Sequence, residues 1–232
     1  MLAYTVRQGH SIYGPVEYGN ALVHRARNEA LSANISRGSD FCLFIDDDMV
    51  PEETALEKLI QNNVPVCSAL CTTRVPPVRF AASVWSSETN EFGVLDRIRP
   101  DKLVSGPFAV GFAFLLIRKD ALSALREYYL SAKDWIEENR RMFDRLRVKA
   151  ELREQERKRR EEIRRARWET GKHLRVFDYL VGDDEWQLGE DVAVSKRLLR
   201  LGYEIAIDPR VKVGHLGEHA YGPWDLNEDF AN

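Results

Sequence analysis

The chain has little sulfur and no long apolar run. Its 232 residues include three cysteines and three methionines. An odd, low cysteine count, with no zinc-like spacing around Cys67 and Cys71, argues against a disulfide scaffold and for a reducing, cytoplasmic setting. No apolar stretch approaches the roughly 18 to 20 residues of a membrane span, so none is expected. The opening, MLAYTVRQGH, lacks the basic region and apolar core of a signal peptide. Glycine and proline are missing from Phe112 through Thr170. Hydrophobic residues at 44% and aromatics at 10% exclude wholesale disorder. The length suits one large domain spanning 1–232.

The formal net charge of -3 hides an asymmetry. Residues 133–167 hold 14 basic and 9 acidic side chains, a local net of +5, and the rest of the chain carries -8. With neither breaker present, a helical arm inserted at about 119–172 is expected. Leu122, Leu125, Tyr129, Ala132, Ile136, Phe143 and Leu146 keep a helical apolar stripe over its first half. Farther on, ELREQERKRREEIRRAR reads as a solvated, ion-paired helix surface. A contact between copies of the chain is the alternative. A nucleic-acid surface is disfavoured, because no aromatic side chain interrupts the charges before Trp168.

On either side of the arm the pattern is α/β. YGNALVHRARNEALSANIS reads as a helix ended by Gly38. FCLFI (Phe41 to Ile45) is a short apolar run of the kind buried on both faces of a sheet. Pro51 and Glu52 suit the start of a second helix, EETALEKLIQNN. VPVCSAL and GFAFLLI (Gly111 to Ile117) read as further strands, and residues 72–80 as a loop. DVAVSKRLLRLG is an amphipathic helix ended by Gly202, and YEIAIDPRVKVGH supplies one or two strands. Strands alternating with helices predict a mostly parallel, Rossmann-like sheet flanked by helices, with ligands at strand C-termini.

Three motifs carry chemistry. Asp46-Asp47-Asp48 ends a buried strand, and three crowded carboxylates call for a neutralising cation. Oxygen ligands select hard ions, Mg²⁺ or Mn²⁺. Against this stands a plain solvated acidic turn. Gly189-Glu190-Asp191 opens the amphipathic helix, where Asp191 is either an N-terminal cap or a general base in a cleft. His215, in KVGHLG, is either a structural histidine or a third ligand suited to Mn²⁺.

In that order, ARNEAL (26–31), FCLFIDDDMVP (41–51), PVCSALCTTRVPP, AVGFAFLLIRKDAL (109–122) and LGEDVAVSKRLLRLGYEIAIDPRVKVGHLG (188–217) resemble the GT-A glycosyltransferases of the family 2-like group. The resemblance covers residues 20–122 and 176–217. It implies a metal-dependent transfer of a sugar from a nucleotide-sugar donor, UDP- or GDP-sugar first, to a hydroxyl of a glycan or other acceptor, with inversion favoured. Asp48 would coordinate the metal; Asp46 would bind the donor ribose or the metal shell, with Asp47 beside it. His215 would be the remaining protein ligand. Asp191 would be the base and Glu190 would orient the acceptor. Arg27 and Asn28 would lie beside the donor nucleotide and Arg74 in a nearby loop. Gly111 belongs to the acceptor-side strand, and Trp186 is placed as a sugar-stacking wall or a packing residue. Two departures stand out: the chain opens at what reads as the family's second strand, LAYTV, without an earlier βα unit, and the arm is unusually long and charged. A non-catalytic sugar-nucleotide or glycan-binding protein, oligomerising through the arm, is the alternative function. A nucleotidyltransferase is the other, although no Gly-rich basic loop is visible.

Overall fold

A computed structural model describes residues 1–14, 23–73, 77–89, 91–130, 180–181, 187–217 and 220–222. Its elements run α1 (Leu2–Arg7), α2 (Val23–Arg37), β1 (Phe41–Ile45), β2 (Met49–Pro51), α3 (Ala55–Gln61), β3 (Val66–Ala69), β4 (Ala82–Ser86), β5 (Glu91–Val94), β6 (Val104–Gly106), β7 (Phe108–Val110), β8 (Phe114–Arg118), α4 (Lys119–Leu130), β9 (Leu180–Val181), β10 (Gln187–Leu188), α5 (Glu190–Arg200), β11 (Ile205–Asp208), β12 (Val213–Leu216) and β13 (Ala220–Tyr221). Arg74, Trp186 and the expected arm beyond Leu130 lie outside the described residues.

The fold is α/β, but the central sheet is mixed and mostly antiparallel. Its order is β1-β8-β3-β11-β6, and only β3 and β11 pair in parallel. The expected mostly parallel, Rossmann-like sheet is therefore corrected. The β1–α3–β3 crossover does return the chain in the direction of β1. It leaves room for one strand between the two, and β8 fills that gap antiparallel to both. A continuous apolar run reports burial on both faces, not the direction of the neighbour.

Burial on both faces is what these strands show. Alternate residues Val66, Leu115, Ile117, Ile205 and Ile207 meet Leu31 of α2, Leu122 and Leu125 of α4, and Val194 and Leu198 of α5. The intervening residues Cys67, Ala69, Phe114, Leu116 and Ala206 meet Ala55, Leu56 and Leu59 of α3. The two-residue strand period thus divides one apolar run between two cores. Glycines with φ of +69° and +82°, Gly38 and Gly202, follow α2 and α5, where a side chain would be strained.

Two local expectations change. LAYTV forms part of helix α1: Leu2 packs toward α3 and Thr5 is buried, whereas Val6 is 52% exposed. That three-residue spacing is helical, and contact with α3 selects it over the strand period. Pro51 does not open a helix; it lies in β2, opposite Val213. β2 is the edge of the β13-β12-β2 sheet, where a missing N–H is tolerated. The pairing continues as the Glu52 N–H donates to the Lys212 carbonyl at 3.0 Å, so α3 begins only at Ala55.

Candidate functional site

The end of β1 delivers the acidic turn. The Asp46 N–H donates to the Ala113 carbonyl at 3.0 Å, one step beyond the β1–β8 ladder, and the Met49 N–H closes the turn onto the Asp46 carbonyl at 3.2 Å. The chain then enters β2, whose register with β12 sets His215 opposite Met49. The Leu216 N–H donates to the Asp48 carbonyl at 2.8 Å. Backbone pairing alone therefore brings together two residues 167 positions apart: His215 Nε2 lies 3.1 Å from Asp48 Oδ2.

The other imidazole nitrogen fixes the ring. Nδ1 lies 2.9 Å from the Thr72 carbonyl oxygen, which can only accept, so Nδ1 carries a hydrogen. In the neutral ring, Nε2 then directs a lone pair at a carboxylate oxygen. Two acceptors facing each other at that distance need a proton or a cation between them. The imidazole and carboxylate donors suit Mn²⁺, and the carbonyl behind Nδ1 is the usual outer support of a metal-binding histidine. The Thr72 hydroxyl oxygen is buried without a hydrogen-bond partner. Among the described residues no group of three or more His, Cys, Asp or Glu side chains converges on one point.

A second cluster ties β1 to the start of α5. Arg27, on α2, donates from Nη2 to Asp46 Oδ1 at 3.0 Å and from Nη1 to Glu190 Oε1 at 3.0 Å. Its side chain is only 10% exposed, and the guanidinium lies over the Phe112 ring at 5.4 Å from the centroid. Arg27 therefore reaches two carboxylates on different elements. Asn28 is buried next to it in the same helix.

Asp191 follows Glu190 in the first turn of α5. Its Oδ1 accepts the Val192 N–H at 2.8 Å. Burial raises its pKa above the usual carboxylate range and the Glu190 charge adds to that, against the opposing Val192 N–H and Arg27. A carboxylate so raised is a better proton acceptor near neutral pH. Gly189 directly precedes the helix, and a Cβ there would lie 3.1 Å from Asp191 Oδ1.

Of the expected residues, the structure brings Asp48 to His215, and Asp46 and Glu190 to Arg27, with Asp191 in the same helical turn as Glu190. Asp47 is exposed. Gly111 links β7 to β8, its N–H donating to the Ala81 carbonyl at 3.0 Å. The sequence reading missed Thr72 and Phe112. Thr72 acts through its backbone carbonyl, which no residue type signals, and Phe112 reads as one more residue of an apolar run. All three cysteines are free and buried, and burial pushes each thiol up to about 12, so none is a ready nucleophile at neutral pH.

No protein-family model matches the sequence. No curated protein matches it either. In fold the chain is similar to A197 from STIV. That crystal structure aligns over 97% of this chain and 83% of its own, with a TM-score of 0.50 and 14% sequence identity. At that identity the likeness is one of fold alone. Among the described residues no helix is long and apolar enough to cross a membrane.

Proposed function

We propose that the chain is a metal-dependent glycosyltransferase of the GT-A kind, moving a sugar from a nucleotide-sugar donor to an acceptor hydroxyl. The observation that carries the reading is the Asp48–His215 pair, a facing carboxylate and imidazole made by the β2–β12 register. Fold does not specify chemistry, so the reading rests on the site and not on the mixed sheet. Supporting it, the acidic turn and the Glu190-Asp191 turn, far apart in sequence, share Arg27.

In this reading Asp48 and His215 would hold a Mn²⁺ or Mg²⁺ ion. When bound, the ion supplies positive charge that stabilises the departing nucleoside diphosphate. Asp191 takes the proton of the acceptor hydroxyl as that oxygen bonds to the anomeric carbon and the bond from carbon to diphosphate oxygen breaks. Its burial favours the protonated form that results. Glu190, held by Arg27, orients the acceptor. Displacement from the opposite face gives inversion.

A thermal-shift screen tests the proposal: UDP-, GDP-, CMP- and dTDP-sugars, each with Mn²⁺ and with EDTA. A metal-dependent rise in Tm for one nucleotide class is expected, since a ligand of the native state stabilises it. No shift with any of them removes the donor-site reading. A shift without turnover, unaffected by Asp191→Asn, favours a sugar-nucleotide-binding protein instead.

A further inference from the structure

We infer that Arg27 is a positioning residue for Asp191: its guanidinium, fixed between Asp46 and Glu190, offsets the Glu190 charge beside the carboxylate that takes the proton. The inference rests on the reading of Asp191 as the proton acceptor. It goes beyond that reading by naming what keeps the acceptor ionised before the step.

The bridge is built to stay in place. Arg27 Nη1 donates to Glu190 Oε1 at 3.0 Å, and Nη2 lies 3.0 Å from Asp46 Oδ1 and 3.3 Å from Oδ2. The Arg27 side chain is 10% exposed and its guanidinium lies over the Phe112 ring. Glu190 is 19% exposed, so solvent and salt screen this pair far less than they screen a surface ion pair. A guanidinium keeps its charge at any working pH, so the counter-charge cannot be titrated away. Asp191 is the next residue in the same turn of α5, with Oδ1 held by the Val192 N–H at 2.8 Å. The charges that act on it are Glu190 from its own helix and Arg27 from α2, with Asp46 of β1 bonded to the far side of Arg27. Burial first and Glu190 second favour its protonated form, and the Val192 N–H and Arg27 oppose them. A base must be ionised when the acceptor hydroxyl arrives. Left unopposed, the Glu190 charge would move Asp191 further toward the neutral form, which cannot take that proton.

Carbon-13 NMR of the side-chain carboxyl groups tests this, with the Asp191 signal assigned by its loss in Asp191→Asn. In Arg27→Met the Asp191 midpoint should move to higher pH. In Arg27→Lys, which keeps a charge but not the planar fork, it should move less. Glu190→Gln removes the charge that Arg27 offsets and should move the midpoint to lower pH. Turnover gives a second readout: in Arg27→Met the fall of kcat/KM in acid should begin at higher pH, and the rate should recover as pH rises. A bridge that only held α2, β1 and α5 together would cost rate at every pH and leave the midpoint in place. An Asp191 midpoint that stays or falls in folded Arg27→Met overturns the inference, whether or not sugar transfer is seen. A raised midpoint with no transfer from any donor supports the action of Arg27 on Asp191 and removes the transferase reading instead. Thermal melts identify the folded variants. If neither Arg27 variant folds, Glu190→Gln decides, and an unmoved or raised midpoint in it overturns the inference.

Discussion

His215 Nε2 and Asp48 Oδ2 face each other at 3.1 Å because the opposite nitrogen of the ring is committed to the Thr72 carbonyl at 2.9 Å. The ring is thus held from behind and presented from in front. Both positions come from backbone pairing, since β12 is hydrogen-bonded to β2 on one side and the Leu216 N–H reaches the Asp48 carbonyl. That makes the pair pre-organised, which lowers the cost of seating a ligand.

The first prediction concerns that pair. His215→Ala and Asp48→Ala should each weaken Mn²⁺ binding by more than about tenfold, the scale on which even supporting residues of metal sites act. Neither should unfold the protein, because both side chains are partly open to solvent at 21% and 27%. Calorimetric titration with Mn²⁺ reads the affinity and a thermal melt reads the fold. Unchanged affinity in either variant returns that residue to a structural role.

Asp191 gives a prediction with a definite sign. Its pKa is raised in the folded protein by burial first and by Glu190 second. The native state therefore binds this proton more tightly than the unfolded chain does, and stability falls as pH rises from the ordinary value of 3.8 through the raised one. Asp191→Asn, which has no charge to bury, should melt higher than the wild type at pH 7. The difference should vanish below pH 3.8, where both forms are neutral. The same variant should lose sugar transfer while still binding the donor. Melts across pH 3 to 8 together with donor turnover check it; a lower Tm at pH 7 would refute the electrostatic account.

Gly189 tests the position of that carboxylate without touching its charge. Its φ is -56°, open to any residue, so alanine brings no backbone strain. The added Cβ would lie 3.1 Å from Asp191 Oδ1, and the carboxylate must give by a few tenths of an ångström. Gly189→Ala should lower kcat about tenfold with Tm nearly unchanged, since misplacement by a full ångström can cost a hundredfold. Steady-state kinetics with a saturating donor would show it. An unchanged kcat would mean that Asp191 is not the proton acceptor.

How much of this was legible in the sequence divides along physical lines. Phe41–Ile45 as a strand, the helices around Arg27 and Asp191, and the end of α5 at Gly202 follow from local patterns of apolar spacing, capping charges and glycine. The direction of β8 does not, because burial on both faces is compatible with either orientation. LAYTV reads as a strand but is helical, because five residues hold too little of either period and packing on α3 decides it. Arg27 is the instructive residue. Its place beside Asn28 is local, but which carboxylates a long side chain reaches depends on the placement of α5, 163 residues later in the chain. Thr72 could not have been found, since its contribution is a carbonyl.

The last prediction concerns acid stability and has the opposite sign to Asp191. Asp208 is 1% exposed, yet it accepts bonds from Asn62 Nδ2 at 2.7 Å and from Arg210 Nε and Nη2, each at 2.8 Å. Burial alone would raise its pKa; the Arg210 and Asn62 hydrogen bonds more than reverse this, and the net direction is down. A lowered carboxylate contributes stability above its ordinary value of 3.8, and that contribution is lost as pH falls through the lowered one. Asp208→Asn should therefore destabilise the protein at pH 7. The cost should be about 1 to 2 kcal/mol, the low end for charged hydrogen bonds, because solvent screens the half-exposed Arg210 side chain. The deficit should shrink in acid, where the wild type loses the same charge. Denaturant unfolding of the two proteins at pH 7 and pH 3 measures both differences. A deficit that stays constant across that range would assign the role of Asp208 to packing and neutral hydrogen bonds rather than to its charge.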